Sequence, residues 1–354
     1  MSKEIHPFKR VKGDAGKVRW TILPDNLPFD PRDCIKRSIE LEKAGFNGIQ
    51  EGDHILPVHH TGGHCSGAFS HLIELLHATK NVCCGMTVWA ITGMRYSPIQ
   101  FALEMATAAL FHGSQRIFVG VGTGEAMNDL SATGCWPSAT ERRERLEEAI
   151  QLVKRAWETA ITRKPIEKYK GKYFNVPFFY LYDKPEGPWP PPIIVAASGP
   201  KSAYSAGKLG DGMCCIASPD LLKDSLIPAF KKGAKEAGRD PDLMEIWSFV
   251  STAYHPEDPF TIARKYAGFL VPELYDVPDP RIIEARALMI RDDVIKAVYN
   301  VSSKIDGVID GFDRYIKAGA NGIIWDEISP DPWMTPKIFK EKIKPYFTEQ
   351  YGAF

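Results

Sequence analysis

Apolar residues gather in short runs along the chain, and between the runs they return every three or four positions. The runs are VRWTIL (18–23), GIQEG (48–52), VCCGMTV (82–88), RIFVGVG (116–122), IIVAA (193–197), GMCCIA (212–217), EIWSFVSTAY (245–254) and GIIWDE (322–327). Their near-continuous apolar character marks strands buried on both faces, the condition of parallel strands covered by helices. Helical patterns fall at 31–45, 67–79, 98–113, 138–160, 200–209, 219–238, 306–319 and 335–349, between most of the strands. Roughly eight strand–helix units predict an α/β fold of the (β/α)8 TIM-barrel type rather than a doubly wound open sheet. No short repeat, low-complexity tract or long linker divides the chain, so residues 1–354 read as one domain.

Two stretches break the alternation. RKPIEKYKGKYFNVPFFYLYDKPEGPWPPP (163–192) is aromatic and proline-rich and reads as a hairpin and loop inserted before the fifth strand. The irregular segment 271–300 reads either as a lid or substrate wall or as helices packed on the barrel exterior, since long barrel loops commonly carry function.

Composition narrows the partners. Lys plus Arg and Asp plus Glu number 44 each, so no overall charge draws the chain to nucleic acid or an anionic membrane. A small-molecule substrate is the expectation. No apolar run approaches the ~20 residues of a membrane span, and MSKEIHPFKRVKGDAGK is too polar for a secretory signal, which predicts a soluble, cytoplasmic protein. Cys83–Cys84 and Cys214–Cys215 lie inside apolar strands and read as reduced, buried thiols. TERRERLEEAIQLVKRAWE (140–158) places Arg and Glu at helical neighbour spacing and reads as a solvated helix face.

In a barrel the catalytic groups sit just after the strands. After the second strand, GDHILPVHHTGGHC (52–65) holds four of the nine histidines, beside Asp53 and Cys65. These are zinc-ligand types, but His60 and His64, the pair with ligand spacing, are separated by Gly62–Gly63, which opposes a helix, so no metal is expected. His54, at the strand end, is a candidate general base because imidazole takes a proton near neutral pH. After the fourth strand, Gly120, Gly122 and Gly124 match a dinucleotide fingerprint only loosely, because Glu125 stands where a third glycine belongs. They allow either close approach of backbone amides to a flat ligand or a tight turn without one. After the fifth strand, Ser198, Gly199 and Pro200 open a helix whose free N–H groups suit an anion such as phosphate, or form an ordinary cap.

Together GDHILPVHHTGGH, MTVWAITGMRYSP, GVGTGEAMN and AASGPKSAYSAGKLGDGM resemble the luciferase-like family of TIM barrels, over about residues 15 to 350. Within it they are most similar to the branch that uses the deazaflavin coenzyme F420, with its glucose-6-phosphate and secondary alcohol dehydrogenases. The resemblance implies coenzyme F420 (8-hydroxy-5-deazaflavin) as cofactor, with FMN as the alternative, and a homodimer. It implies that His54 takes the substrate hydroxyl proton and that a hydride passes between the carbinol carbon and C5 of the deazaflavin. Glu125 matches a glutamate that protonates the ring. Asp53 falls in the coenzyme pocket, Thr87–Val88 on a non-prolyl cis peptide behind the ring, and Thr123, Gly124 and Asn128 on ring and ribityl contacts. Ala197, Ser198 and Gly199 fall on the phosphate site.

Departures from the pattern bear on the substrate. Val58 occupies the position of the family's active-site tryptophan, and Trp89 is the candidate to replace that wall. The basic residues that hold a sugar phosphate are replaced by Pro219, Tyr275 and Val298, which forgoes charge-assisted hydrogen bonds of about 1.5–3 kcal/mol each. The expectation is therefore an F420-dependent oxidoreductase acting on an uncharged alcohol or carbonyl compound. The alternatives are a reductase of a pterin-bound one-carbon unit, a sugar-phosphate dehydrogenase, an FMN-dependent monooxygenase and a non-catalytic deazaflavin-binding protein.

Overall fold

The computed structural model describes residues 4–24 and 30–354. Eight parallel strands form where the apolar runs lie: β1 (Arg19–Leu23), β2 (Gly48–Glu51), β3 (Cys83–Met86), β4 (Val119–Val121), β5 (Ile193–Ala196), β6 (Gly212–Cys215), β7 (Glu245–Tyr254) and β8 (Gly322–Glu327). Consecutive strands are neighbours, and β8 returns to β1 in register from Gly322 opposite Arg19 to Asp326 opposite Leu23. Between β3 and β4 the pairing is reduced to two parallel bridges, Cys84 to Ile117 and Trp89 to Val121, which close the barrel. The gap between the bridges holds the Thr87–Val88 peptide bond, which is cis. The ladder of β3 therefore stops at Met86, short of the apolar run.

Helices α1 (Pro31–Ala44), α2 (Ala68–Ala78), α3 (Pro98–His112), α4 (Ala126–Thr133), α5 (Ala139–Thr162), α6 (Pro200–Leu209), α7 (Ile227–Glu236), α8 (Ile305–Lys317) and α9 (Lys344–Tyr351) surround the barrel. Their ends carry the expected signals. Asp30 accepts from the Arg32 amide ahead of α1, with Pro31 in the first turn, and Gly45 ends the helix at φ 90°; Ser138 caps α5 through the Glu141 amide. The patterns at 219–238 and 335–349 are not single α-helices. Each contains a π turn, Leu222–Leu226 and Phe339–Ile343, just ahead of Pro228 and Pro345. A proline has no N–H to give and crowds the carbonyl four residues back, and the wider turn accommodates it. Helix α4 was not expected, because eight residues with few apolar positions give little periodicity.

The 163–192 insertion contains the expected hairpin, Tyr169–Lys170 against Asn175–Val176. The 271–300 segment is helical and also reaches the cavity. It packs as helical turns Leu274–Asp276, Pro280–Ala287 and Asp292–Val298 around its own apolar cluster, which includes Tyr266, Leu274, Ile283 and Ile295, and its Tyr275 and Asp276 reach the barrel mouth. Asn300–Ser302 adds an unanticipated short strand on the end of β7.

The amino-terminal end of the barrel is plugged. Phe8 packs on Phe118 and Trp247 at 4.9 and 5.5 Å between ring centres, beneath the Arg19 guanidinium. Buried Glu245 is held by Arg19 at 2.9 Å and Arg10 at 3.2 Å, so its charge is compensated. The paired cysteines are free and buried, and burial pushes the Cys83 and Cys215 thiols up to about 12. Among the described residues no helix is long and apolar enough to cross a membrane.

Candidate active site

At the carboxyl ends of the strands the barrel opens into a cavity of about 570 Å³, a size typical of small-molecule sites. Its floor is apolar, with Leu23, Val88, Ala196, Cys214, Ile216 and Phe249. Phe269 and Tyr275 form one wall. Asp276 closes the mouth from that side by accepting from the Trp136 indole at 2.8 Å and facing Arg142 at 3.5 Å.

The glycines at the end of β4 also serve a contact that the sequence did not suggest. A side chain at Gly122 would come within 2.5 Å of Val88 Cγ2, and one at Gly120 within 2.5 Å of the Met86 carbonyl. They make room for the Thr87–Val88 bulge of the neighbouring strand, and Gly122 also lines the cavity. Thr87, Val88, Thr123 and Gly124 all line the cavity, and the Thr87 hydroxyl donates to Gln50.

His54 and Glu125 meet at the rim, Nε2 to Oε2 at 3.8 Å, each about four-fifths buried. His54 Nδ1 lies 3.1 Å from the Leu56 carbonyl, which can only accept. Asn128 Nδ2, which can only donate, lies farther from the same nitrogen at 3.3 Å, so the shorter contact assigns the proton of the neutral ring to Nδ1 and turns Nε2 toward Glu125. Asn128 holds the two sides together. Its Oδ1 accepts from the Ile55 and Leu56 amides at 2.7 and 3.2 Å, and its Nδ2 donates to Glu125 Oε2 at 3.2 Å. The oxygen of Asn128 is thus committed to the protein, which leaves only its nitrogen for the ligand contact that the resemblance implied.

Asp53 is buried and receives a two-pronged salt bridge from Arg95 at 2.6 and 3.1 Å and a hydrogen bond from Tyr96 at 2.9 Å. Burial pushes its carboxyl up, against the opposing pull of Arg95. Asp129, one turn into α4, accepts from the Glu125 amide at 3.1 Å, and burial pushes it up to about 6. Sequence reasoning missed Arg95, Tyr96 and Asp129, although the first two stand in the resembling stretch MTVWAITGMRYSP and Asp129 directly follows GVGTGEAMN.

On the opposite side Ala197, Ser198 and Gly199 line the cavity where α6 begins. Ser202 Oγ accepts from the Ser198 and Gly199 amides at 3.2 Å, and space beside the Gly199 Cα is open. Lys201 and Arg143 also line this end. The face of α5 read as solvated therefore turns Arg142 and Arg143 into the mouth.

Several expectations are corrected. Trp89 is fully buried outside the barrel wall, packed on Phe69, Tyr96 and Phe101 at 4.2–5.6 Å, and does not line the cavity. Val58 is buried against Gly268 in the cluster beneath the 271–300 helices. It lines only a separate void of about 30 Å³ beside His54, not the large cavity. His60 and His64 are exposed rim residues, but His59 is buried. Of the three positions read as replaced basic residues, Tyr275 lines the cavity and Pro219 and Val298 do not. Among the described residues no three His, Cys, Asp or Glu side chains group as a metal site.

Known proteins share this arrangement. The profile of the family described as luciferase-like monooxygenase matches residues 13–320. F420-dependent glucose-6-phosphate dehydrogenases of Mycolicibacterium smegmatis and Gordonia bronchialis are 30% and 31% identical over 325 residues, covering 90% of this chain and 94% of each relative. The solved structure of an F420-dependent secondary alcohol dehydrogenase in complex with an F420–acetone adduct superposes with a TM-score of 0.87 at 32% identity, covering 93% of this chain and 98% of that one. The coenzyme F420-dependent tetrahydromethanopterin reductase of Methanopyrus kandleri shares the fold, with a TM-score of 0.74 at 19% identity over 94% and 99% of the two chains. The chain thus belongs to the luciferase-like family, in its branch of F420-dependent oxidoreductases.

Proposed function

We propose that the protein interconverts an uncharged alcohol and its carbonyl compound, with coenzyme F420 as the hydride partner. The observation that carries the reading is the His54–Glu125 pair, 3.8 Å apart on the rim of a cavity whose floor is apolar.

The residues fit a flat deazaflavin. The Leu23, Val88 and Phe249 floor offers apolar contact, the cis Thr87–Val88 bulge projects into the cavity, and the open start of α6, with Lys201 and Arg143, suits a phosphate. When bound, coenzyme F420 accepts or supplies a hydride at ring carbon C5. In alcohol oxidation His54 Nε2 accepts the hydroxyl proton, which raises the electron density on the carbinol oxygen. The Leu56 carbonyl fixes the tautomer and steadies the imidazolium through Nδ1. Glu125, oriented by Asn128, would stand on the coenzyme side of His54 as the carboxyl placed to pass a proton toward the ring. Phe249, Phe269 and Tyr275 exclude water from the reacting space.

The charges argue for an uncharged substrate. Arg95 is taken by Asp53, and Arg142 by Asp276 and the Pro137 carbonyl. Lys201 and Arg143 sit at the α6 end, with the expected cofactor phosphate. A sugar phosphate would find Arg95 and Arg142 already paired and Phe269 and Tyr275 along the wall.

The test is hydride transfer with purified F420, followed by loss of the coenzyme's visible absorbance. Uncharged alcohols such as 2-propanol and its longer homologues are expected to bleach it, and glucose 6-phosphate is not. Bleaching by glucose 6-phosphate alone, oxygen uptake with reduced FMN, or tight F420 binding without reduction by any alcohol would each overturn the proposal.

A further inference from the structure

We infer that Arg95 is a positioning residue of this site, holding the loop that carries His54 against the helix that carries Glu125. The inference rests on the roles proposed above for His54 and Glu125. Arg95 stands on the loop after β3, between the two elements it joins. Its Nη2 and Nη1 grip the Asp53 carboxylate at 2.6 and 3.1 Å, and Nη2 also reaches the Asp53 carbonyl at 3.2 Å, one peptide bond before His54. Its Nε faces Asp129 Oδ1 at 3.8 Å. The other oxygen of Asp129 receives the Glu125 amide. The side chains of Arg95, Asp53 and Asp129 are 10%, 2% and 0% exposed.

The arrangement sets two buried carboxylates against one cation. Arg95 Nε and Asp129 Oδ1 are both buried without a hydrogen-bond partner, although they face each other. The guanidinium fork is satisfied by Asp53, and Asp129 is left to share its charge through space. Burial raises Asp129 to about 6, and Asp53 and Glu125 add to the rise while Arg95 opposes it. Arg95 also lines the cavity, so its charge acts on the same space as His54. The other groups around this centre are Glu125 on α4, Tyr96 on the β3 loop, whose ring lies under Arg95 at 4.8 Å, and Arg142 on α5. Loss of the Arg95 charge leaves the buried carboxylates uncompensated. It raises the proton affinity of His54 and frees the two elements to separate.

The experiment compares Arg95→Gln, Arg95→Lys and the double variant Arg95→Gln with Asp129→Asn, alongside His54→Asn. Two readouts are taken: F420-linked 2-propanol oxidation, and NMR titration of the His54 imidazole in the coenzyme-free chain. Arg95→Gln is expected to lower kcat by about 100-fold, the scale of a misplacement near 1 Å, with a smaller change in KM. The His54 titration should move up by about half a unit or more. Arg95→Lys should restore part of both, and the double variant should outperform Arg95→Gln because it removes one uncompensated carboxylate. Should Arg95→Gln fail to fold, Arg95→Lys and the single Asp129→Asn variant carry the same two readouts. A His54 titration unmoved in every Arg95 variant, or a double variant worse than Arg95→Gln alone, overturns the inference. Full activity in His54→Asn would instead strike the proposed function, leaving the titration to judge Arg95 by itself.

Discussion

His59 provides a test of the fold that needs no substrate. It leaves the barrel on the loop after β2 and enters the cluster under the 271–300 helices, edge-on to Tyr266 at 4.9 Å and beside Gly268. Both ring nitrogens are buried without a hydrogen-bond partner, and burial takes its pKa from the ordinary 6.5 down to about 4. The folded chain therefore prefers neutral His59. Between pH 6.5 and about 4 the unfolded chain binds a proton that the folded chain refuses, so stability falls as pH falls through this window and levels off below it. A displacement of that size corresponds to roughly 3 kcal/mol, at 1.36 kcal/mol per unit.

Replacing His59 with Phe keeps an aromatic ring against Tyr266 and removes both unsatisfied nitrogens. At pH 7 the variant should be more stable by about 1 kcal/mol, provided the slightly larger ring is accommodated beside Gly268. Its advantage should grow by roughly 3 kcal/mol as the pH falls from 7 to 4. Urea unfolding of both proteins, followed by tryptophan fluorescence at half-unit steps of pH, measures the difference directly. His6 is also held down to about 4, but it is common to both chains and cancels. His59→Leu provides a second variant: its baseline is lower if the ring is needed for packing, but its pH slope relative to the parent should be the same. A stability difference constant from pH 7 to 4 would refute the argument, since His59 would then titrate alike in both states.

Three further outcomes follow from the geometry. His54→Asn should reduce alcohol oxidation by roughly 10²–10⁴-fold while leaving F420 binding, read by quenching of coenzyme fluorescence, nearly unchanged. Gly122→Ala places a methyl 2.5 Å from Val88 Cγ2. It should cost about 1–3 kcal/mol in unfolding experiments and weaken F420 binding, because Val88, which lines the cavity, must move. Finally, α3 exposes Leu103, Leu110 and Phe111, the last at 73%; if the expected homodimer forms through this face, Phe111→Lys should convert the sedimenting species to monomer.

The barrel was legible because its strands are buried on both faces. Continuous apolar runs such as IIVAA and GIIWDE leave little choice of environment, and their spacing leaves room for one helix each. Local chemistry resisted the same reading wherever neighbouring strands negotiate with each other. The end of β3 at Met86 depends on a cis bond that no periodicity encodes, and Gly120 and Gly122 are small because of that bond, two strands' worth of sequence away. The π turns were legible in principle, since Pro228 and Pro345 stand inside helical patterns. Only three-dimensional packing decides that the chain widens its turn there instead of ending the helix.

In the site, position after a strand found His54 and Glu125 but could not say which way their neighbours turn. In the stretch 52–65 the chain leaves a buried strand and runs across the barrel rim, so residues a few places apart face different solvents. Asp53 turns into the barrel wall toward Arg95, His54 into the mouth, and Val58 and His59 into the packing under the 271–300 helices. A resemblance carried position by position assigned Val58 to the substrate wall because a tryptophan is long enough to cross from that packing to the cavity. Valine is shorter, and it lines only the void of about 30 Å³ beside His54. The wall of the large cavity falls instead to Phe269 and Tyr275, from the segment that follows β7, above Phe249 of β7 in the floor. Their role is invisible in sequence because they are ordinary aromatics in apolar surroundings. The specificity of this chain is therefore to be sought between β7 and residue 276, and not in the histidine-rich loop that first draws attention.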